Sequence, residues 1–265
     1  MTKRTFAVNL LVGVALFFTT PCHAQTITLG ETTLLGISDS GNAGFLLAQG
    51  PYQLSQAATI NSLSFYTTTV SAHLRLGIYT SGPHSDCKGG SLQAQTNALT
   101  PSSNSWNTAS VITPVQLPVG SYCLAYEVGS NVTGFRKGLS TGQSIVYYPK
   151  SFGTFPATFS SNPSTDPYHW SFYATLTPPP PPTLSLSFSP PAPSIQATAP
   201  LNTPVAQIMP TWSDGSQFTG TVAFGSPNFS DGGCFSIDGS LNLITSCDLS
   251  GDSNTVQNVT VVATQ

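Results

Sequence analysis

Charge is the scarcest ingredient of this chain: Asp, Glu, Lys and Arg together make up 6% of its 265 residues. Nucleic-acid binding needs a clustered basic footprint. The seven Lys and Arg residues form none, which argues against nucleic acid as a partner. The same shortage argues against an anionic membrane surface. Basic residues stop at Lys150, whereas Asp214, Asp231, Asp238, Asp248 and Asp252 all follow it. Amphipathic helical periodicity is missing after the first two dozen residues, which argues against a helical fold. No later segment approaches the roughly 20 apolar residues of a membrane span. Disorder is not indicated, because aromatic and β-branched residues are plentiful.

What is present begins with a leader. Lys3 and Arg4 precede an apolar run from Phe6 to Phe18, and Cys22-His23-Ala24 supplies small residues at a cleavage position. This is the pattern of a secretory signal peptide over residues 1–24. The expected mature protein is exported, periplasmic or extracellular, with no membrane insertion after signal removal.

Short alternating runs dominate the remainder. Leu74, Leu76 and Ile78 alternate with Arg75 and Gly77, and Tyr122, Leu124 and Tyr126 alternate with Cys123, Ala125 and Glu127. Trp170, Phe172, Ala174 and Leu176 form a further run, and Leu184, Leu186 and Phe188 another. Such period-two patterns, punctuated by Gly, Pro, Asn and Ser, predict half-buried strands joined by turns. Phe235 and Ile237, with Leu241 and Leu243, bracket a tight Asp238-Gly239 turn. Five consecutive prolines, Pro178 to Pro182, interrupt the pattern. They fix φ and donate no backbone hydrogen bond, so they form a polyproline rod of about 15 Å, at ~3 Å per residue. The expected fold is all-β: two antiparallel β-sandwich domains, residues 25–177 and 183–265, joined by a linker over 178–182.

Cysteines agree with export. Beyond the leader, Cys87 and Cys123 precede the prolines, and Cys234 and Cys247 follow them. One disulfide within each domain is expected. Each would contribute about 3 kcal/mol on a chain-entropy argument. Four buried thiols are the alternative.

Several segments carry a resemblance. Gly36-Ile37-Ser38-Asp39, Ile60 to Tyr66, Leu76 to Thr80, Trp106 and Leu117 to Ala125 resemble β-sandwich modules of exported bacterial proteins, often similar to galactose-binding-like jelly rolls. That likeness covers roughly Thr28 to Thr177 and implies a fold and a location, not one activity. In the second domain, Ala199 to Val205, Phe235 to Asp238, Leu241 to Thr245 and Val259 to Thr264 are similar to cadherin-like repeats of immunoglobulin-like topology. The family's Leu-Asp-Arg-Glu calcium signature would fall at Leu249-Ser250-Gly251-Asp252, where it is not intact.

Chemistry is thinly signalled. Gly138-Leu139-Ser140-Thr141-Gly142 matches Gly-x-Ser-x-Gly, but a nucleophile elbow needs a helix after the serine, and Gln143 to Tyr148 reads as a strand. His73, His84 and His169 read as loop or edge residues. Glu31, Asp39, Asp86, Glu127 and Asp166 are isolated in sequence, so no carboxylate pair for glycoside hydrolysis is signalled. Asp231, Asp248 and Asp252 offer hard oxygen ligands suited to calcium, although Asp-Gly pairs also simply make turns. Sugars stack on exposed aromatics. Tyr147, Tyr148 and Tyr168 are the ligand-binding candidates, while Trp106 and Trp170 read as core. The expected function is an exported, non-enzymatic binding or adhesion protein that recognises glycan or a surface protein. A structural spacer without a small ligand is the alternative, and a secreted hydrolase a lesser one.

Overall fold

The computed structural model describes residues 5–11, 26–69, 72–131, 134–139, 144–191, 193–225, 233–250 and 256–264. Among these the chain is all-β, and no helix occurs. It packs as two compact units, one spanning Cys22–Pro180 and the other Pro181–Gln265 together with the N-terminal segment.

In the N-terminal segment, Thr5–Leu11 forms strand β1. The larger unit begins with β2 (Ile27–Gly30), β3 (Ile37–Ser40), β4 (Phe45–Leu54), β5 (Ala58–Thr69) and β6 (Leu74–Thr80). It continues with β7 (Leu92–Gln95), β8 (Ser105–Leu117), β9 (Gly120–Val128), β10 (Gly134–Leu139) and β11 (Ser144–Pro149). It ends with β12 (Ser164–Asp166), β13 (Tyr168–Trp170) and β14 (Phe172–Thr177). One antiparallel sheet runs β13-β10-β5-β14-β2, with β3 also on β10 and β8 also on β5. The other runs β12-β11-β4-β9-β6-β7.

The two sheets enclose one core. Leu63, Phe65 and Phe172 come from the first sheet, and Leu76, Leu124 and Tyr126 from the second. Phe65 meets Phe172 and Phe135 edge-on, with ring centroids 5.2 and 5.5 Å apart. This is the sandwich-like packing that alternation predicts, since every second residue of a strand faces the opposite sheet.

The outer face of the second sheet departs from a simple buried-in, polar-out pattern. Every residue of β9 from Tyr122 to Val128 is buried. The residues that face away from the inter-sheet core, Cys123 and Ala125, join a second apolar cluster with Cys87, Tyr79, Phe155 and Phe159. The segment after β11 folds back over this face: Tyr79 donates from its hydroxyl to the Pro156 carbonyl at 2.9 Å. The Cys87–Cys123 disulfide, with Cα atoms 5.8 Å apart, ties the loop after β6 onto β9 within this cluster. β9 is therefore sealed on both faces.

The run from Trp170 to Leu176, expected as one strand, breaks at Ser171 into β13 and β14. Buried Gln49 accounts for the break. Its side-chain oxygen accepts the Trp170 N–H at 2.7 Å, and its amide donates to the Tyr52 hydroxyl and the Trp170 carbonyl at 2.8 and 3.2 Å. A side chain of the second sheet thus takes up polar groups that a continuous ladder would have used.

The second unit contains β15 (Leu184–Ser189), β16 (Ser194–Gln196), β17 (Pro204–Trp212), β18 (Thr221–Phe224), β19 (Phe235–Ile237), β20 (Asn242–Thr245) and β21 (Val256–Thr264). One sheet runs β15-β17-β20-β19 and the other β16-β1-β21-β18. Leu186, Phe188, Ile208, Leu243, Val259 and Val261 share their core. β1, drawn from the expected leader, lies antiparallel to β16 and parallel to β21. The Cys234–Cys247 disulfide joins the two ends of the β19–β20 hairpin, Cα to Cα 4.8 Å. The hairpin loop is longer than the two-residue turn expected. Asp238 Oδ1 accepts the N–H groups of Ser240 and Asn242 at 2.9 and 2.8 Å, and Leu241 takes φ 62°. The Leu241 N–H donates to the Asp238 carbonyl at 3.0 Å, so a tight turn through Gly239 and Ser240 makes the reversal and the Asp238 side chain braces it.

Candidate functional site

A cavity of about 210 Å³ opens at one edge of the larger unit. It lies where β3, β10 and β13 of the first sheet face β4, β11 and β12 of the second. Phe45, Leu47, Ile145 and Tyr147 form its apolar wall, and Trp170 lies opposite. Strand register explains the wall. Tyr147 pairs with Leu47, and Ile145 pairs with both Gln49 and Asp166, so Ile145 and Tyr147 share the inner face of β11. Phe45 meets Tyr147 edge-on at 5.7 Å. At the inner end Trp170 packs edge-on against Tyr126, centroids 4.8 Å apart.

Polar groups converge on this wall. Asp39, Asn42, Lys137 and Asp166 line the cavity. Lys137 Nζ stands 3.3 Å from Asp39 Oδ1 and 4.2 Å from the centroid of the Tyr168 ring. Asn42 donates from Nδ2 to the Tyr126 hydroxyl at 2.9 Å, which leaves its carbonyl oxygen free of that bond. Burial pushes the Tyr126 phenol well above its ordinary pKa; the Asn42 bond opposes this, and the Asp39 and Asp166 charges add to it. That hydroxyl therefore stays protonated, a fixed dipole beneath the site.

Two polar atoms of these lining residues, Trp170 Nε1 and Asp166 Oδ1, are buried and make no hydrogen bond among the described residues. Trp170 is 3% exposed. A buried donor or acceptor left unpaired costs about 1–3 kcal/mol, so native proteins leave few of them.

Of the residues expected from sequence, Tyr147 lines the cavity, and Tyr168 borders it through Lys137. Tyr148 does not belong. It faces the other side of β11 and packs edge-on against Phe159 at 5.0 Å, in the outer cluster. Trp170 is buried as expected, but it also lines the cavity. Trp106, read as core, is only half-buried. It packs edge-on against Tyr66 and Tyr173 on the outer face of the first sheet, centroids 5.6 and 5.0 Å away. Asp39, Asn42, Lys137 and Asp166 were not anticipated as site residues. Asp166 carried a faint signal, standing two residues before Tyr168 and four before Trp170.

The acidic residues of the first unit are not isolated in space. Besides Asp39 with Lys137, Glu127 is 1% exposed, lies 2.8 Å from Lys150 Nζ and 3.7 Å from Arg75 Nε, and accepts the Gly153 N–H. Glu31 stands 3.3 Å from His169 Nε2. His169 is thus half-buried and engaged, not a free edge residue.

Of the calcium candidates, Asp231 and Asp252 lie outside the described residues, as does Ser140. Asp248 Oδ1 accepts the Ser250 N–H at 2.9 Å, a local turn bond. Among the described residues no three His, Cys, Asp or Glu side chains gather as a metal-binding group. Compared with known proteins, the chain matches no family model and no curated relative.

Proposed function

We propose that this is an exported, non-enzymatic binding protein that recognises glycan through the cavity bordered by Tyr147 and Trp170. In this reading the larger unit is a jelly-roll-like module that carries the site. The smaller unit is a cadherin-like repeat that serves as a spacer. The observation that carries the proposal is the joining of aromatic walls to polar side chains, two of them with unpaired buried atoms, around one small cavity. Binding sites are typically concave and apolar with a few placed polar groups, and sugars present both an apolar ring face and hydroxyls. The cavity's described lining holds no Ser, Thr, Cys or His, and of its two carboxylates Asp39 is paired with Lys137 at 3.3 Å. Two disulfides, and the absence of any helix among the described residues long and apolar enough to cross a membrane, are compatible with an exported protein. The test is a glycan array probed with the mature protein, residues 25–265. Reproducible binding to a sugar class is expected, and a blank array sinks the proposal in favour of a spacer.

A further inference from the structure

Resting on that glycan reading, we infer that the cavity takes a single terminal sugar ring that is uncharged. Three observations on the same site lead there.

Size comes first. Clefts for drug-sized ligands measure roughly 300–1,000 Å³, and this one measures about 210 Å³. One ring fits such a space, and a run of several does not. The contact of Trp170 on Tyr126 closes the inner end, so a saccharide chain cannot thread through. The ring enters from the edge of the sandwich, as the end of a chain.

Charge comes second. Three charged groups line the cavity: Asp39, Lys137 and Asp166. The Lys137 ammonium is committed to Asp39 at 3.3 Å and to the Tyr168 ring face. Among the described residues no cation pairs with Asp166. Nearby Arg136 hydrogen-bonds away from the cavity to Ser38 Oγ and the Gly36 carbonyl, and His169 is held by Glu31. A uronate or other acidic sugar would place like charge against Asp166, which low local dielectric makes costly.

Hydrogen bonding comes third. Trp170 Nε1 can only donate, and an ionised Asp166 can only accept. A ligand that satisfies both must bring an acceptor and a donor. Sugar hydroxyls are both at once. A site built to meet hydroxyls discriminates strongly against analogues that lack them, because its own groups are then left unpaired.

The experiment is titration calorimetry on the mature protein with methyl glycosides of glucose, galactose and mannose, and with the matching methyl uronides of glucose and galactose. At least one neutral glycoside binds, and its uronide binds at least about tenfold more weakly. Asp166→Asn keeps shape and loses the charge. It weakens the neutral glycoside about tenfold and narrows the gap to the uronide. Trp170→Phe keeps an aromatic wall and loses the donor, also at about a tenfold cost. Asp166 is partly exposed, so the first variant folds even if the second does not. A uronide that binds as tightly as its neutral partner overturns the inference and leaves glycan recognition standing. So does unchanged binding in both variants, which puts the sugar elsewhere on the protein. Failure of every glycoside here, together with a blank glycan array, overturns both readings.

Discussion

Glu127 offers the sharpest test of how the larger unit is held together. Its carboxylate is 1% exposed and is shared between Lys150 Nζ at 2.8 Å and Arg75 Nε at 3.7 Å, with the Gly153 N–H also donating to it at 2.8 Å. The Arg75 and Lys150 side chains are themselves only 15% and 17% exposed. Glu127→Ala would strand both cations in a largely dry setting and free one backbone donor. Breaking a buried pair from one side costs about 3–5 kcal/mol, chiefly because the partner charge stays buried. In a unit of this size each kcal/mol shifts the melting temperature by about 2–4 °C, so the unit carrying β9 should melt roughly 6–20 °C lower. Glu127→Gln retains an acceptor for Gly153 and Lys150 and should lose about half as much. Lys88→Ala, at an exposed pair with Asp86, should shift stability by no more than about 0.5 kcal/mol. Scanning calorimetry of the three variants decides the matter. If Glu127→Ala moves the transition by less than about 3 °C, the cluster is worth no more than a surface pair, and the reasoning is wrong.

Three further outcomes are expected. Gly77→Ala should cost about 1–3 kcal/mol, since a Cβ at Gly77 would lie 2.5 Å from the buried Phe155 ring; a denaturant midpoint equal to wild type would show that the ring yields freely. Glu31 is partly buried, which raises its pKa, but hydrogen bonds from Thr33 and the His169 partner outweigh burial and hold it below the ordinary glutamate value. A depressed carboxylate contributes stability above its unfolded pKa and loses it as pH falls through the folded one. Wild type should therefore lose more stability than Glu31→Gln between about pH 6 and pH 3, and parallel curves would contradict the assignment. Finally, intact-mass analysis of the protein purified from its native cells should place its first residue at Gln25. Retention of Thr5–Leu11 would mean instead that β1 stays beside β21 in the working protein.

Much was legible in the sequence because strand alternation is local. Leu74, Leu76 and Ile78 announce a face without knowledge of their neighbours, since side chains alternate along any extended chain. The division of cysteines two and two likewise pointed to Cys87–Cys123 and Cys234–Cys247, the pairs found in the fold. Period two says that faces alternate, but not what covers each one. That is why Cys123 and Ala125 read as outward residues and proved to lie in a second apolar cluster. It is also why Tyr147 and Tyr148, adjacent and chemically alike, separate into a cavity wall and a packing contact.

The all-β class, the strand positions and the cysteine partners were thus set by the chain's own local pattern. The cavity was decided only in three dimensions. Asp39 and Lys137 meet because β3 pairs with β10, and Asp166 reaches the wall because β12 pairs with β11. Trp170 turns toward them because Gln49, far away in sequence, holds its backbone. Strand neighbours are chosen by which buried faces fit together across the sandwich, a property of the whole packed body, and a site assembled from distant strands therefore leaves little trace in any single stretch of sequence.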